Sequence, residues 1–151
     1  MSNFKEVPVA ARWLGLAGLI PFVGFAALIW VLQLIENSNA PFASMMLTGY
    51  GAVILSFMGG CRWGLAAAKL GEGPSVKMLG ISVLPALYAW VVALLPDATA
   101  QMLLALGLLL LLWADVNLTR SGGAPNWWAA LRWPLSLGAA GSLLAGAFAG
   151  A

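Results

Sequence analysis

The chain contains no histidine, one cysteine and two tyrosines. The missing histidine removes the commonest general base, the commonest metal ligand and the usual haem ligand. The single cysteine, Cys61, excludes an intrachain disulfide. Charge is equally scarce. Seven Lys or Arg and five Asp or Glu amount to 8% of 151 residues, where about 25% is usual for a soluble domain. The carboxylates Glu6, Glu36, Glu72, Asp97 and Asp115 are scattered along the chain. They form no paired-carboxylate, nucleophile–base or metal-ligand pattern, so no catalytic residue, metal or cofactor is expected.

Apolar sequence takes the place of the missing charge. Hydrophobic residues make up 62% of the chain, and a membrane-spanning helix needs about 20 mostly apolar residues. Five such stretches stand out, at about 13–34, 42–65, 78–95, 100–118 and 128–147. The expected fold is therefore all-α: one integral membrane domain over residues 1–151, a bundle of five transmembrane helices. The first stretch exceeds the roughly 7–15 residues of a signal-peptide core and is read as a retained span. The linking loops are too short for a soluble domain. No fixed-period repeat is visible, and an odd span number argues against a simple inverted repeat.

The charges orient this bundle. With the loops assigned alternately to two sides, Lys5, Arg12, Lys69, Lys77, Arg120 and Arg132 fall on one side, and the other side carries only Glu36 and Asp97. Lys and Arg favour cytoplasmic loops, which predicts a cytoplasmic N-terminus and a periplasmic C-terminus in a bacterial inner membrane. The net charge of +2 then reports contact with anionic lipid headgroups rather than nucleic acid.

Two charges lie inside the predicted spans: Arg62 near the inner end of span two and Asp115 near the inner end of span four. Arg132 begins span five on the same side. Ions at membrane depth are costly unless they pair or snorkel, so Arg62, Asp115 and Arg132 are expected to meet. The cluster has three readings: a clamp joining spans two, four and five, snorkelling of Arg62 to the headgroups, or a pocket for an anionic or amphipathic ligand. Six tryptophans, Trp13, Trp63, Trp113, Trp127, Trp128 and Trp133, map near the same boundary. They form either an interfacial belt or, through Trp63 and Trp128, the aromatic wall of that pocket.

Packing signals come from small residues four apart, which let helix backbones approach closely in lipid. Span two carries Ala52, Ser56, Gly60 and Gly64; span five carries Gly138, Ser142, Gly146 and Gly150. Either stripe serves the bundle itself or a contact with a second copy or another membrane protein. Span four, rich in leucine, has little surface for close packing and is expected to face lipid over much of its surface. Pro21 and Pro85 should kink spans one and three. Tyr50 and Tyr88 need interhelical partners for their hydroxyls.

The run from Tyr50 to Gly64, Tyr-Gly-Ala-Val-Ile-Leu-Ser-Phe-Met-Gly-Gly-Cys-Arg-Trp-Gly, resembles the domain-of-unknown-function family 3429. Ile20-Pro21-Phe22, Leu84-Pro85, Asp115 and the stretch from Pro125 to Arg132 match it too. The resemblance implies a small multi-span protein like those of proteobacteria and the mitochondrial inner membrane. Members often carry histidine where this chain has Arg62, so the resemblance brings no proton-transfer or metal role to that position. The stretch from Trp127 to Pro134 is also similar to a segment of the tryptophan-rich sensory proteins. In that family the segment stands near the N-terminus, so the likeness is an analogy for ligand binding alone.

Two functions follow from this inventory. The leading expectation is a non-enzymatic accessory or assembly component that packs against other membrane proteins or its own copies. The alternative is a binding or transport protein with an inner-leaflet pocket for an amphipathic ligand such as a lipid, quinone or tetrapyrrole.

Overall fold

The computed structural model describes residues 4–68 and 76–149. The expected inner loop with Lys69 and the Gly71-Glu72-Gly73-Pro74 turn, together with Gly150, lies outside them. All regular structure among the described residues is helical: a 3-10 turn at Phe4–Glu6, then α1 (Val9–Ala17), α2 (Leu19–Leu34), α3 (Ala40–Ala67), α4 (Val76–Val92), α5 (Asp97–Arg120) and α6 (Asn126–Ala149). Three stretches are long and apolar enough to cross a membrane: Val9–Leu34, Ala40–Ala67 and Asp97–Arg120. The apolar α4 is shorter, at 17 residues.

Helix ends follow local chemistry. Expected span one is divided at Gly18, which closes α1 and opens α2. Pro21 then falls in the first turn of α2 rather than mid-helix, where its missing N–H costs nothing. Pro41 takes the corresponding place in α3. Pro96 precedes α5, and Asp97 supplies an acid to its first turn, which suits the positive end of the helix dipole. α5 stops in a Schellman motif: Gly122 adopts φ +76°, its N–H donates to Thr119 O at 3.1 Å, and Gly123 N–H donates to Leu118 O at 2.8 Å.

α5 packs against three helices, α3, α4 and α6. It packs most extensively on α6 and also meets α3, while α2 lies against both α3 and α6. This leucine-rich helix was expected to face lipid over much of its surface, and it divides into a buried and an outward face. Leu104, Leu108, Leu111 and Leu112 are buried, and Leu106, Leu109 and Leu110 face outward. Leucine is as suitable for a bundle core as for a lipid-facing surface, so composition alone could not choose the face. α4 adheres chiefly to α3 and only lightly to α5.

Two hydroxyls tie helices together. Tyr50 on α3 donates to the Gly18 carbonyl at the α1–α2 break (2.9 Å), and Tyr88 on α4 donates to Leu103 O on α5 (2.8 Å). The Tyr50 ring also meets Phe22 edge-on at 4.8 Å. At the bundle end formed by the start of α3 and of α5, Gln101 Nε2 donates to Ser44 Oγ (2.9 Å), and Thr48 Oγ1 donates to Asp97 Oδ1 (3.1 Å).

Candidate functional site

Asp115 lies five residues before the end of α5, roughly 7.5 Å along its axis. Arg132 lies six residues into α6, roughly 9 Å from its start. α5 and α6 are antiparallel neighbours, so these depths coincide. α3 brings Arg62 alongside from its last two turns. Arg62 Nη1 donates to Asp115 Oδ1 at 2.6 Å, and Arg132 Nε donates to Asp115 Oδ2 at 2.8 Å. Each carboxylate oxygen thus serves a different arginine, and neither guanidinium is engaged as a two-pronged fork.

Burial sharpens the electrostatics. Asp115 is 0% exposed and Arg132 2%; the Arg62 side chain is 13% exposed. Two guanidiniums and one carboxylate leave the cluster with a formal charge of +1. Removing one partner of a buried pair costs about 3–5 kcal/mol, because the other charge is stranded. The cluster therefore fastens α3, α5 and α6 together at one end.

The tryptophans named with this cluster do not wall it. Trp63 is exposed on the outside of α3. Trp128 is half-buried and stacks edge-on with Trp127 at 5.9 Å. Neither lines the cavities that the two arginines reach. Trp13, Trp113 and Trp133 are also exposed, as a belt would be.

Arg62 borders two openings. One, of about 310 Å³, lies between α3, α4 and α5 and is walled by Leu84, Pro85, Tyr88, Gly107 and Leu110. The other, of about 200 Å³, reaches Met78, Leu118 and Gly123. Arg132 lines a third cavity, of about 130 Å³, together with Ser136 and residues of α1, α2, α3 and α5.

The two small-residue stripes have different fates. That of α6 points inward: a Cβ on Gly146 would sit 2.5 Å from Leu47 Cδ2, and one on Gly138 3.0 Å from Leu19 Cδ1. Ser142 is buried, its hydroxyl donating to Gly138 O. On α3, Ala52 and Ser56 are half-buried, but Gly60 and Gly64 are exposed, and a Cβ on either would have nothing within 4 Å. The expected packing face of α3 is corrected accordingly. Its packing glycines are Gly51, against Leu104 and Leu143, and Gly59, against α4.

Two buried polar residues escaped the sequence reading, Gln101 and Ser136. Among the described residues, Gln101 Oε1 and Ser136 Oγ are buried without a hydrogen-bond partner, as are Arg132 Nη2 and Trp128 Nε1. The signal for Gln101 was its spacing four residues after Asp97, opposite the Ser44/Thr48 pair. For Ser136 it was a hydroxyl one turn beyond an intramembrane arginine. Among the described residues, no group of three or more His, Cys, Asp or Glu comes together to hold a metal ion.

Apolar helices of spanning length, tied by an ion cluster buried among them, define a helical membrane protein. The chain belongs to the family described as "Protein of unknown function (DUF3429)", which it matches over residues 7–148. It is 38% identical to Transmembrane protein 69 of Xenopus tropicalis over 143 residues, covering 93% of this chain and 54% of that protein. It is 32% identical to Transmembrane protein 69 of Mus musculus over 132 residues, covering 84% of this chain and 51% of that protein. The chain thus spans about half the length of these relatives. No solved structure matches it.

Proposed function

We propose that this chain is a non-enzymatic, five-span protein of a bacterial inner membrane, with a cytoplasmic N-terminus and a periplasmic C-terminus. Its role is that of an accessory or assembly component that packs against another membrane protein or a second copy of itself. The outward Gly60/Gly64 face of α3 carries this reading. A Cβ on either glycine would have no neighbour within 4 Å, so a foreign helix can bring its backbone against α3 there. Close approach of this kind drives helix association in lipid, where hydrophobic driving force is absent. The exposed Phe57 and Trp63 flank the two glycines and offer side chains to such a partner.

Extraction in a mild detergent followed by native mass spectrometry tests the proposal. The expected result is a complex of fixed stoichiometry, with a second copy or a defined membrane subunit. A bare monomer at native expression level would refute it.

A second reading, an inner-leaflet pocket for an amphipathic ligand, is favoured by one observation: both arginines of the +1 cluster border cavities.

A further inference from the structure

A cavity of about 610 Å³ lies apart from the arginine cluster, between the N-terminal turn, the end of α5 and the start of α6. That volume is within the roughly 300–1,000 Å³ of small-molecule sites. Unlike the arginine cavities, it brings together charges of both signs: Glu6 and Arg120 border it, with Thr119 and Asn126.

The walls are held in place. Val7 is 3% exposed, its N–H donates to Phe4 O at 3.3 Å, and the turn it closes packs on α6. Glu6 is thereby anchored against that helix. The Schellman motif at Gly122 and Gly123 turns the chain from Arg120 back to Asn126. The charges are also available. Among the described residues, the ion pairs are those of Asp115 with Arg62 and Arg132, so Glu6 and Arg120 are not paired with each other. Both are exposed, within reach of a bound molecule. Thr119 Oγ1 donates its proton to Asp115 O at 2.9 Å and remains as an acceptor. Asn126 opens α6, whose leading N–H groups and dipole favour an anion. One space therefore offers an anion site, Arg120 with Asn126, and a cation site, Glu6 with Thr119.

The apolar walls indicate what carries the two charges. α5 is long and apolar enough to cross a membrane, and Arg120 is its last residue, so the charged end stands at the membrane boundary, where lipid headgroups lie. From there the cavity follows α5 one turn back to Val116, and α6 from Asn126 past Ala129 and Ala130 to Trp133, roughly 10 Å along the axis. Trp133 is 51% exposed, and tryptophan favours the membrane interface. A charged end at the boundary and an apolar trough leading toward hydrocarbon match the two parts of a phospholipid.

Charge selects its head. A phosphate beside a primary ammonium answers both sites, and the ammonium can donate to the Glu6 carboxylate. A phosphatidylglycerol head lacks the cation and leaves Glu6 facing a phosphate. A choline head has the cation but no N–H to donate, and Trp133 alone is not the aromatic cage that quaternary ammonium ions use.

We propose that this cavity binds the headgroup of phosphatidylethanolamine, with its phosphate on Arg120 and Asn126 and its ammonium on Glu6 and Thr119. The site uses neither the outward face of α3 nor the arginine cluster, so it stands or falls apart from both readings above. The full chain in maltoside micelles is titrated with equimolar dioleoyl phosphatidylethanolamine, phosphatidylcholine and phosphatidylglycerol under native mass spectrometry. Phosphatidylethanolamine should bind one per chain, about two- to fivefold more tightly than either other lipid, the range of exposed charge pairs. Glu6→Gln should erase this preference, and Glu6→Lys should turn it toward phosphatidylglycerol. Arg120→Gln should weaken all three lipids about equally. Lys5→Gln, on the same turn but outside the cavity, should keep the preference for phosphatidylethanolamine over phosphatidylcholine. Lys5, Glu6 and Arg120 are exposed, so these variants retain the fold. Phosphatidylethanolamine bound no better than phosphatidylcholine by the wild type would overturn the proposal. So would a preference that survives Glu6→Gln, or one lost equally in Lys5→Gln. Displacement of the lipid by soluble O-phosphoethanolamine at equal concentration would make the ligand a free phosphate ester and overturn the lipid assignment.

Discussion

Gly59 on α3 and Ser82 on α4 meet backbone to backbone: a Cβ added to Gly59 would lie 2.8 Å from the Ser82 carbonyl oxygen and 3.3 Å from Pro85 Cβ. Pro85 interrupts the hydrogen bonding of α4 at this level, and Ser82 Oγ turns back to Leu79 O at 2.6 Å. The turn of α4 that contains Pro85 is therefore part of the surface against which Gly59 packs.

The neighbouring glycines should respond oppositely to one methyl group. Gly59→Ala forces backbone against backbone and should cost about 1–3 kcal/mol, as overpacking does. Gly60→Ala enters open space and should be neutral or stabilising by up to about 1 kcal/mol, the gain of Ala over Gly within a helix. Thermal unfolding in detergent measures both. A damaging Gly60→Ala beside a silent Gly59→Ala would reverse the two faces of α3.

The ion cluster predicts an order of effects. Asp115→Asn leaves two buried arginines without a counter-charge and should be the most damaging, at about 3–5 kcal/mol. Arg62→Leu leaves a neutral Asp115–Arg132 pair and should be milder. The double variant Arg62→Leu/Asp115→Asn should lose less than the two single losses combined, by about 0.5–3 kcal/mol, because the residues interact directly. Strict additivity in the melting data would mean that they do not.

Tyr50→Phe keeps the ring against Phe22 and removes only the hydroxyl from the Gly18 carbonyl. About 1–2 kcal/mol should be lost, seen as a lower melting temperature. An unchanged temperature would show that this carbonyl finds another partner.

Topology rests on charge. A C-terminal alkaline phosphatase fusion should be active and a C-terminal fluorescent-protein fusion dark, because lysine and arginine orient short loops. Protease protection of the native chain's two ends gives an independent check. A bright, enzymatically inactive pair of fusions would reverse every sidedness assignment.

The sequence was most legible where lipid leaves the chain least choice. A carboxylate and two arginines at one depth have few alternatives to meeting one another, and Asp115, Arg62 and Arg132 do meet. The helices likewise coincide with the long apolar stretches. Their faces were not legible, because inside and outside are both apolar in a membrane and periodicity no longer separates them. Gly59 and Gly60 are adjacent, about 100° apart around the helix, and spacing alone favoured the stripe that points outward. Leu104 and Leu106 are identical in type, yet one is buried and one exposed. Gln101 and Ser136 were passed over for a related reason: a lone polar residue in an apolar run shows its importance only once its neighbours are known.

The central claim is that the outward Gly60/Gly64 face of α3 receives another membrane helix. The direct measurement is native mass spectrometry of the wild-type chain and of Gly60→Leu, each extracted from membranes at native abundance. Wild type should appear in a complex of fixed stoichiometry. Gly60→Leu should still fold, since its side chain meets nothing within the chain itself, and should appear free. A wild-type chain that is monomeric, or a complex that survives Gly60→Leu intact, would contradict the account.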